Sequence, residues 1–369
     1  MLESMKLVAN LKLTPTEAQH QALLDTLTVS NRACTWLSGQ AWETETFGQF
    51  ALHKLAYQQC REQFGLAAQM TVRCIAKVAD AYKLDRKTRR RFKRYAAQPY
   101  DDRIFRLCSD THLSIWTVHG RLTIPYQCGE RQRALLVFRK GEVDLMCVRG
   151  VFYLAAVCDI LEPEEMGIER ILGVDFGIVN LAVDSDGTVY SGEEVEQKRQ
   201  RLTQRRHELQ RKKTRAARRK LRQLSGRQER FQQHTNHTIA KHLVETAQRS
   251  AAGIALEDLT GIRERVKARR QQRPRHANWG FFQLRQYVSY KAALAGVPVI
   301  LVDPRHTSQQ CNICGHIATA NRPTQERFSC HRCGYTTSAD FNAAQNIKNR
   351  AAVNRRMVAQ PRRLRPALA

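Results

Sequence analysis

Residues 5–13 alternate between apolar and polar positions, with Met5, Leu7, Ala9, Leu11 and Leu13 on one face and Lys6, Asn10 and Lys12 on the other, the period of a half-buried strand. Thr14-Pro15-Thr16-Glu17 then reads as a capping box with proline at the first helical position, followed by Ala18, Leu23, Leu24 and Leu27. The helical pattern continues to about residue 95, with Val72, Ile75, Ala79 and Tyr82 on one face, and ends in the basic run 86–94. From Pro99 to about Ile160 the period returns to two. Leu113, Ile115 and Thr117 lead into a turn at His119-Gly120, Leu122 and Ile124 lead out of it, and further strands are expected at 134–138, 143–148 and 151–158. The economical reading is one β-barrel made of residues 1–13 and 97–165, interrupted by a helical insert at 14–96.

Past Glu165 the pattern becomes α/β, with strands at 170–176, 180–184 and 188–190, a long helical stretch, a strand ending at Glu257, a helix around 279–295 and a strand at 297–302. Three antiparallel strands, a crossover helix and further parallel strands make an RNase H-like sheet, here spanning residues 166–369 with their tail. Trp279, Phe281 and Phe282 are expected to staple the following helix to the sheet. Asp184 and Asp186 read as turn residues, Asp258 as a solvent neighbour of Glu257, and Asp303 before Pro304 as a loop start.

Two apolar runs close on an acid: Ile171-Leu172-Gly173-Val174-Asp175 and Gly253-Ile254-Ala255-Leu256-Glu257. A third acid, Asp340, opens the good helix former Asp340-Phe341-Asn342-Ala343-Ala344-Gln345-Asn346-Ile347. Acids at two strand ends and one helix start can converge on a pair of divalent cations, the arrangement that hydrolyses phosphodiesters. Just upstream, Cys311-x2-Cys314-x15-Cys330-x2-Cys333 sets glycine after each second cysteine, at Gly315 and Gly334, which is the spacing of a closed tetrahedral zinc site in a module at about 306–337. Cys34, Cys60, Cys74, Cys108, Cys128, Cys147 and Cys158 lack paired spacing and read as buried small hydrophobes of a reducing compartment.

Charge changes the picture further. The 369 residues carry 61 Lys+Arg against 34 Asp+Glu, a formal +27, which a soluble enzyme of small metabolites has no reason to carry and which points to nucleic acid. Residues 198–230 hold 15 Lys/Arg and 2 Glu, with Leu202, Leu209, Leu221 and Leu224 at roughly helical positions. That density favours phosphate contact by Arg205, Arg206, Arg211, Lys212, Lys213, Arg215, Arg218 and Arg219 over a merely solvated face. A second stretch, 263–275, offers Arg263, Arg265, Lys267, Arg269 and Arg270 as a loop beside the active site. No compact base-reading motif stands out, so the charge fits a channel that holds a duplex by its backbone while base pairing reads sequence. With no spanning segment or signal sequence, a cytoplasmic, prokaryotic and nucleoid-associated protein is expected.

In order along the chain, Gly173-Val174-Asp175-Phe176-Gly177, Leu256-Glu257-Asp258-Leu259, Thr307-Ser308-Gln309-Gln310-Cys311-Asn312-Ile313-Cys314-Gly315 and Asp340-Phe341-Asn342-Ala343-Ala344-Gln345-Asn346-Ile347 resemble the TnpB family of insertion-sequence-encoded, RNA-guided DNA endonucleases related to type V CRISPR effectors. The resemblance implies a wedge barrel with a helical recognition insert, a RuvC-like nuclease domain, a guide RNA and double-stranded target DNA cut beside a short adjacent motif. It further implies Asp175, Glu257 and Asp340 as catalytic Mg²⁺ ligands, with two ions per site, and Cys311, Cys314, Cys330 and Cys333 as ligands of one structural Zn²⁺. Ser338-Ala339 departs from the family, which commonly has a basic residue before the third acid. The rival readings are a cleavage-dead, guide-directed repressor, a strand-transfer transposase of the same fold and, lower, a plain zinc-dependent DNA-binding protein.

Overall fold

The computed structural model describes residues 4–177, 179–258 and 281–359. The chain divides between Leu161 and Glu162 into two compact units.

In the first unit the alternating segment forms β1 (Ser4–Leu13), with Ala9, Leu11 and Leu13 buried. It pairs antiparallel along its length with β7 (Val151–Leu161) and at its end with β5 (Gly120–Gln127). With β2 (Gln98–Tyr100), β3 (Phe105–Leu107), β4 (His112–Thr117) and β6 (Arg139–Val148) it makes a seven-stranded sheet ordered β2-β6-β7-β1-β5-β4-β3. The edge strands β2 and β3 follow one another in sequence, and the Tyr100 hydroxyl donates to the Trp116 carbonyl at 3.0 Å, so the sheet curls into a nearly closed barrel. The insert is three helices, α1 (Glu17–Glu43), α2 (Gln49–Phe64) and α3 (Ala68–Leu84), whose Leu23, Leu27, Leu37, Leu52, Ile75 and Tyr82 share a core with the barrel's Leu11, Tyr100, Ile115 and Phe152.

Four expectations shift here. The capping box sits two residues later, Thr16 with Gln19, because Thr14 is tied to the Pro125 carbonyl of β5. The helical pattern stops at Leu84, and the basic run that follows has neither helix nor strand. The strand expected at 134–138 is replaced by α4 (Glu130–Leu136), since Glu-Arg-Gln-Arg-Ala-Leu-Leu are all good helix formers and an acid opens the first turn. Of the seven unpaired cysteines, Cys108 is exposed and Cys128 and Cys147 are half-buried, while Cys34, Cys60, Cys74 and Cys158 are buried.

The second unit has a five-stranded sheet ordered β10-β9-β8-β11-β12. In it β8 (Arg170–Asp175), β9 (Asn180–Asp184) and β10 (Val189–Ser191) are antiparallel, and β11 (Ala252–Glu257) and β12 (Val299–Val302) run parallel to β8, as expected of the RNase H-like arrangement. The long basic stretch is two helices rather than one, α5 (Glu193–Arg211) and α6 (Arg215–Arg249), because Lys213 turns the chain at φ 49° and Thr214 caps the second helix. The sheet is covered on one face by Ile239, Leu243 and Val244 of α6 with Leu284 and Val288 of α7 (Phe281–Leu294). Of the aromatics expected to staple this helix, Phe282 is 62% exposed, whereas Trp279 and the Phe281 side chain lie outside the described residues. The opposite face is covered by Ile347 and Ala351 of α8 (Ala339–Ala359) against Ile171, Ala255 and Val302. Among the described residues no helix is long and apolar enough to cross a membrane.

Alternation now decides where the acids go. Leu172, Val174, Ile254 and Leu256 point to the α6 face and Ile171 and Ala255 to the α8 face, so Asp175, four residues past Ile171, and Glu257, two past Ala255, share the α8 face. The register Leu256↔Val174 sets Glu257 beside Asp175 at the strand ends. Between them and the core, Gly173 lets α8 approach: a Cβ there would stand 2.2 Å from the Ala344 carbonyl oxygen and 2.6 Å from the Lys348 amide, both backbone. Gly173→Ala is therefore expected to push α8 off the sheet at a cost of about 1–3 kcal/mol in denaturant unfolding; an unchanged midpoint would show that α8 does not need this close approach.

Candidate active site and zinc module

Asp175 from β8, Glu257 from β11 and Asp340 from the first turn of α8 line one cleft of about 300 Å³, together with Asn180, Thr307, Ser308, Arg322, Gln325 and Glu326. Asp340 is fixed from two sides. Its Oδ2 accepts from the Asn180 amide at 2.9 Å, and its Oδ1 lies 3.7 Å from the Arg322 guanidinium, which also donates to the Gln325 carbonyl. Glu257 Oε1 accepts from the Thr307 hydroxyl. Burial pushes the Asp175 carboxyl well above the ordinary range, and Glu257 and Asp340 push it further, with Arg322 and the Phe176 amide opposing. Burial likewise raises Glu257, against the Thr307 hydrogen bond and Arg350.

The module beside the cleft is built on two knuckles. Gly315 and Gly334 each take φ 72°, which lets their amides donate back to the Cys311 and Cys330 carbonyls at 2.9 and 3.0 Å. The four sulfurs of Cys311, Cys314, Cys330 and Cys333 lie within 4.8 Å of one another. The Cys311–Cys333 and Cys314–Cys330 separations are 3.7 and 3.6 Å, and four thiolates at about 2.3 Å from one tetrahedral ion stand about 3.8 Å apart. The donor set fits zinc with no open position. A short hairpin, β13 (Arg327–Ser329) with β14 (Thr336–Ser338), joins the second knuckle to α8. Ala339 is buried with Phe328 and Cys330, so a long basic side chain does not fit there, and position 338 is the exposed one.

The module and the acids are tied by amide side chains of α8. Asn342 donates to the Gln310 carbonyl and accepts from the Asn312 amide, and Asn346 donates to the Thr307 and Gln310 carbonyls. One helix thus carries Asp340, holds the loop whose Thr307 hydroxyl orients Glu257, and anchors the first knuckle. Thr307, Asn180 and Arg322 escape a reading of the sequence because only the tertiary structure brings two loops and the first residue of β9 to the acids. The one signal for Thr307 is its place in the Thr-Ser-Gln-Gln-Cys segment.

The expected nucleic-acid residues Arg205, Arg206, Arg211, Lys212, Lys213, Arg215, Arg218 and Arg219 are all exposed, on the α5–α6 hairpin. The hairpin is closed by Arg206 on Gln228 at 3.0 Å and by Lys198 over the Phe231 ring at 3.5 Å. Arg263, Arg265, Lys267, Arg269 and Arg270 lie outside the described residues. Asp184, Asp186 and Asp303 sit in the turns and loop start expected of them, Asp184 and Asp303 accepting from amides that follow and Asp186 pairing with Arg170, and Asp258 is exposed beside Glu257 as expected, ion-paired to Arg285 at 3.2 Å.

Residues 158–260 match the family described as a probable transposase, OrfB of IS605, and residues 281–347 match the Cas12f1-like TNB domain. This part of the chain is similar to TnpB-like proteins. Relatives include a CRISPR-associated endodeoxyribonuclease Cas12f1 of Sulfoacidibacillus thermotolerans, 35% identical over 50% of this chain and 47% of that protein. A putative RNA-guided DNA endonuclease, InsQ, of Escherichia coli K12 is 32% identical over 48% of each. The chain spans about half the length of the curated relatives it matches. A cryo-EM structure of a Cas12f1–sgRNA–target DNA complex aligns over 94% of this chain and 99% of that chain, with a TM-score of 0.42 and 14% identity. In this chain the third acid opens the helix that directly follows the cysteine module.

Because Asp175 and Glu257 hold their protons more tightly in the fold than in the unfolded chain, with divalent ions chelated they stabilise it in acid, and that contribution is lost as pH rises through their raised values. Asp175→Asn removes the repulsion, so the metal-free variant is expected to melt above the parent at neutral pH and level with it in mild acid. Melting below the parent at neutral pH would contradict the repulsion.

Proposed function

We propose that this chain is an RNA-guided, metal-dependent DNA endonuclease of a mobile element, hydrolysing target DNA beside a short adjacent motif. The observation that carries the reading is the meeting of Asp175, Glu257 and Asp340 at one cleft, where their repulsion is only partly offset by Arg322 and, at Glu257, by Arg350. A hard divalent ion is the natural counter-charge for three clustered carboxylates, and Mg²⁺ bound by these acids, two ions in a RuvC-type site, would polarise the phosphate and supply a hydroxide at neutral pH. The names of the relatives, an endodeoxyribonuclease and a putative RNA-guided DNA endonuclease, support the same substrate.

The chain's own groups divide the work. Asn180 and the α8 N-terminus hold Asp340, the Thr307 hydroxyl orients Glu257, and Arg322 puts a fixed positive charge where a scissile phosphate enters. Residues 1–13 and 97–165 would form the wedge barrel, 14–96 the recognition insert, and 166–369 the nuclease domain, with the α5–α6 hairpin and residues 263–275 holding the guide and its heteroduplex by their backbones. Zinc held by Cys311, Cys314, Cys330 and Cys333 would fix α8, and with it Asp340, rather than take part in the chemistry. A cytoplasmic setting in a prokaryotic cell follows from the substrate.

The test is cleavage of a target plasmid by protein carrying its copurified RNA, by the same protein stripped of RNA, and by Asp175→Ala, Glu257→Ala and Asp340→Ala. Cutting is expected only from the RNA-bound parent with Mg²⁺, while each variant keeps RNA and DNA binding. Normal cutting by Asp175→Ala, or equal site-specific cutting without RNA, would overturn the reading. Joined rather than free ends would identify a transposase, and guided binding by the parent without cleavage a repressor.

A further inference from the structure

Residues 86–94, Arg-Lys-Thr-Arg-Arg-Arg-Phe-Lys-Arg, carry seven cations and no acid, and the fold holds this segment in a defined line. The Ser38 hydroxyl donates to the Arg90 carbonyl at 2.7 Å, the Thr35 hydroxyl accepts from the Phe92 amide at 3.2 Å, and the Asn31 amide donates to the Arg94 and Ala96 carbonyls at 3.3 and 2.9 Å. The Tyr82 hydroxyl accepts from the Arg90 amide at 3.3 Å. Asn31, Thr35 and Ser38 lie one turn apart on α1 and run opposite to the segment, which is therefore a strap along the helix. Seven α1 residues span about 10 Å and match four strap residues, about 2.6 Å each against 1.5 Å in a helix.

Side chains alternate accordingly. Arg90 and Phe92 are half-buried against the bundle, while Arg89, Arg91 and Lys93 are exposed, on the order of 5 Å apart by the same rise. That is the scale of successive phosphates along one strand. Arg89 has Glu43 at 3.9 Å and Arg90 has Asp85 at 3.0 Å; among the described residues Arg86, Lys87, Arg91, Lys93 and Arg94 have no ion pair. Where the strap turns into β2, Tyr95 is 40% exposed with the Arg94 guanidinium 5.1 Å from its ring centre. An exposed aromatic and a guanidinium beside a row of cations are the parts with which proteins stack and hold unpaired bases.

We propose that the strap is a preformed binding surface for unpaired RNA, with Arg89, Arg91 and Lys93 on consecutive phosphates and Tyr95 stacked on a base. A regular cation row pinned by its backbone suits a periodic polyanion better than an acidic protein face, and the stacking platform selects a single strand over a duplex. The proposal rests on the reading that the chain carries RNA, but its test needs neither guide nor cleavage, so the two fail separately.

The probe is a 5′-labelled 15-nucleotide oligouridylate bound to RNA-stripped full-length protein, followed by anisotropy over a series of salt concentrations. Arg89→Gln, Arg91→Gln, Lys93→Gln together should weaken binding roughly tenfold or more and flatten the dependence of log affinity on log salt by about 2, three phosphate contacts at about 0.7 each. Melting should fall little, because all three side chains are exposed and the one ion pair lost, Arg89 with Glu43, is a surface pair at 3.9 Å. Tyr95→Ala should remove the preference for oligouridylate over an RNA duplex, and a photoactivated 4-thiouridine oligomer should leave its adduct on the tryptic peptide 95–103. An unchanged salt slope in the triple variant, or no adduct on that peptide, would overturn the proposal. So would equal loss of affinity for oligouridylate, oligothymidylate and duplex, which would mark the strap as an unselective cationic face.

Discussion

Repulsion among three carboxylates is the constraint around which the second unit is arranged. Asp175 and Glu257 are neighbours on adjacent parallel strands, Asp340 faces them from a helix, and burial raises the cost of charging the first two. A fold gains nothing from such a cluster by itself. It is kept in place by the apolar sheet beneath, in which Leu172, Val174, Ile254 and Leu256 are fully or almost fully buried on the other face. Active-site order is thus drawn from the core's stability.

Three devices turn that repulsion into a site. The period of two on β8 and β11 sends both strand acids to the α8 face. The lack of a side chain at Gly173 lets the α8 backbone pack on β8, which brings Asp340 within reach of Asn180. Asn342 and Asn346 then tie the same helix to the loop carrying Thr307 and to the first cysteine knuckle. Zinc coordination and acid placement are therefore mechanically one problem: loosening the knuckles loosens the loop that orients Glu257.

Much of this is written locally in the sequence. Asp175 and Glu257 are legible because an apolar run ending in an acid fixes both strand and face, and the cysteines because ligand spacing is a short-range property. What stayed hidden depends on tertiary contacts. Arg322 reaches Asp340 across the zinc module, and Thr307 gains its role only when Asn346 holds its loop. The break at Lys213 was masked by an unbroken basic composition, although Thr214 is a good cap. Ala-Leu-Leu-Val-Phe at 134–138 has the apolarity of a strand, but the residues before it favour helix and draw its first three residues into α4. The strap after Leu84 followed a helical period to its end and hid its anchors in the polar residues of α1.

The measurement that bears most directly on the central claim is manganese binding to RNA-free protein, read by electron paramagnetic resonance. The parent is expected to take up Mn²⁺ saturably, with Mg²⁺ displacing it, and the Asp175→Ala, Glu257→Ala, Asp340→Ala triple variant is expected to lose that binding while keeping its zinc. Equal Mn²⁺ binding by parent and variant would mean that these three acids do not form the metal site.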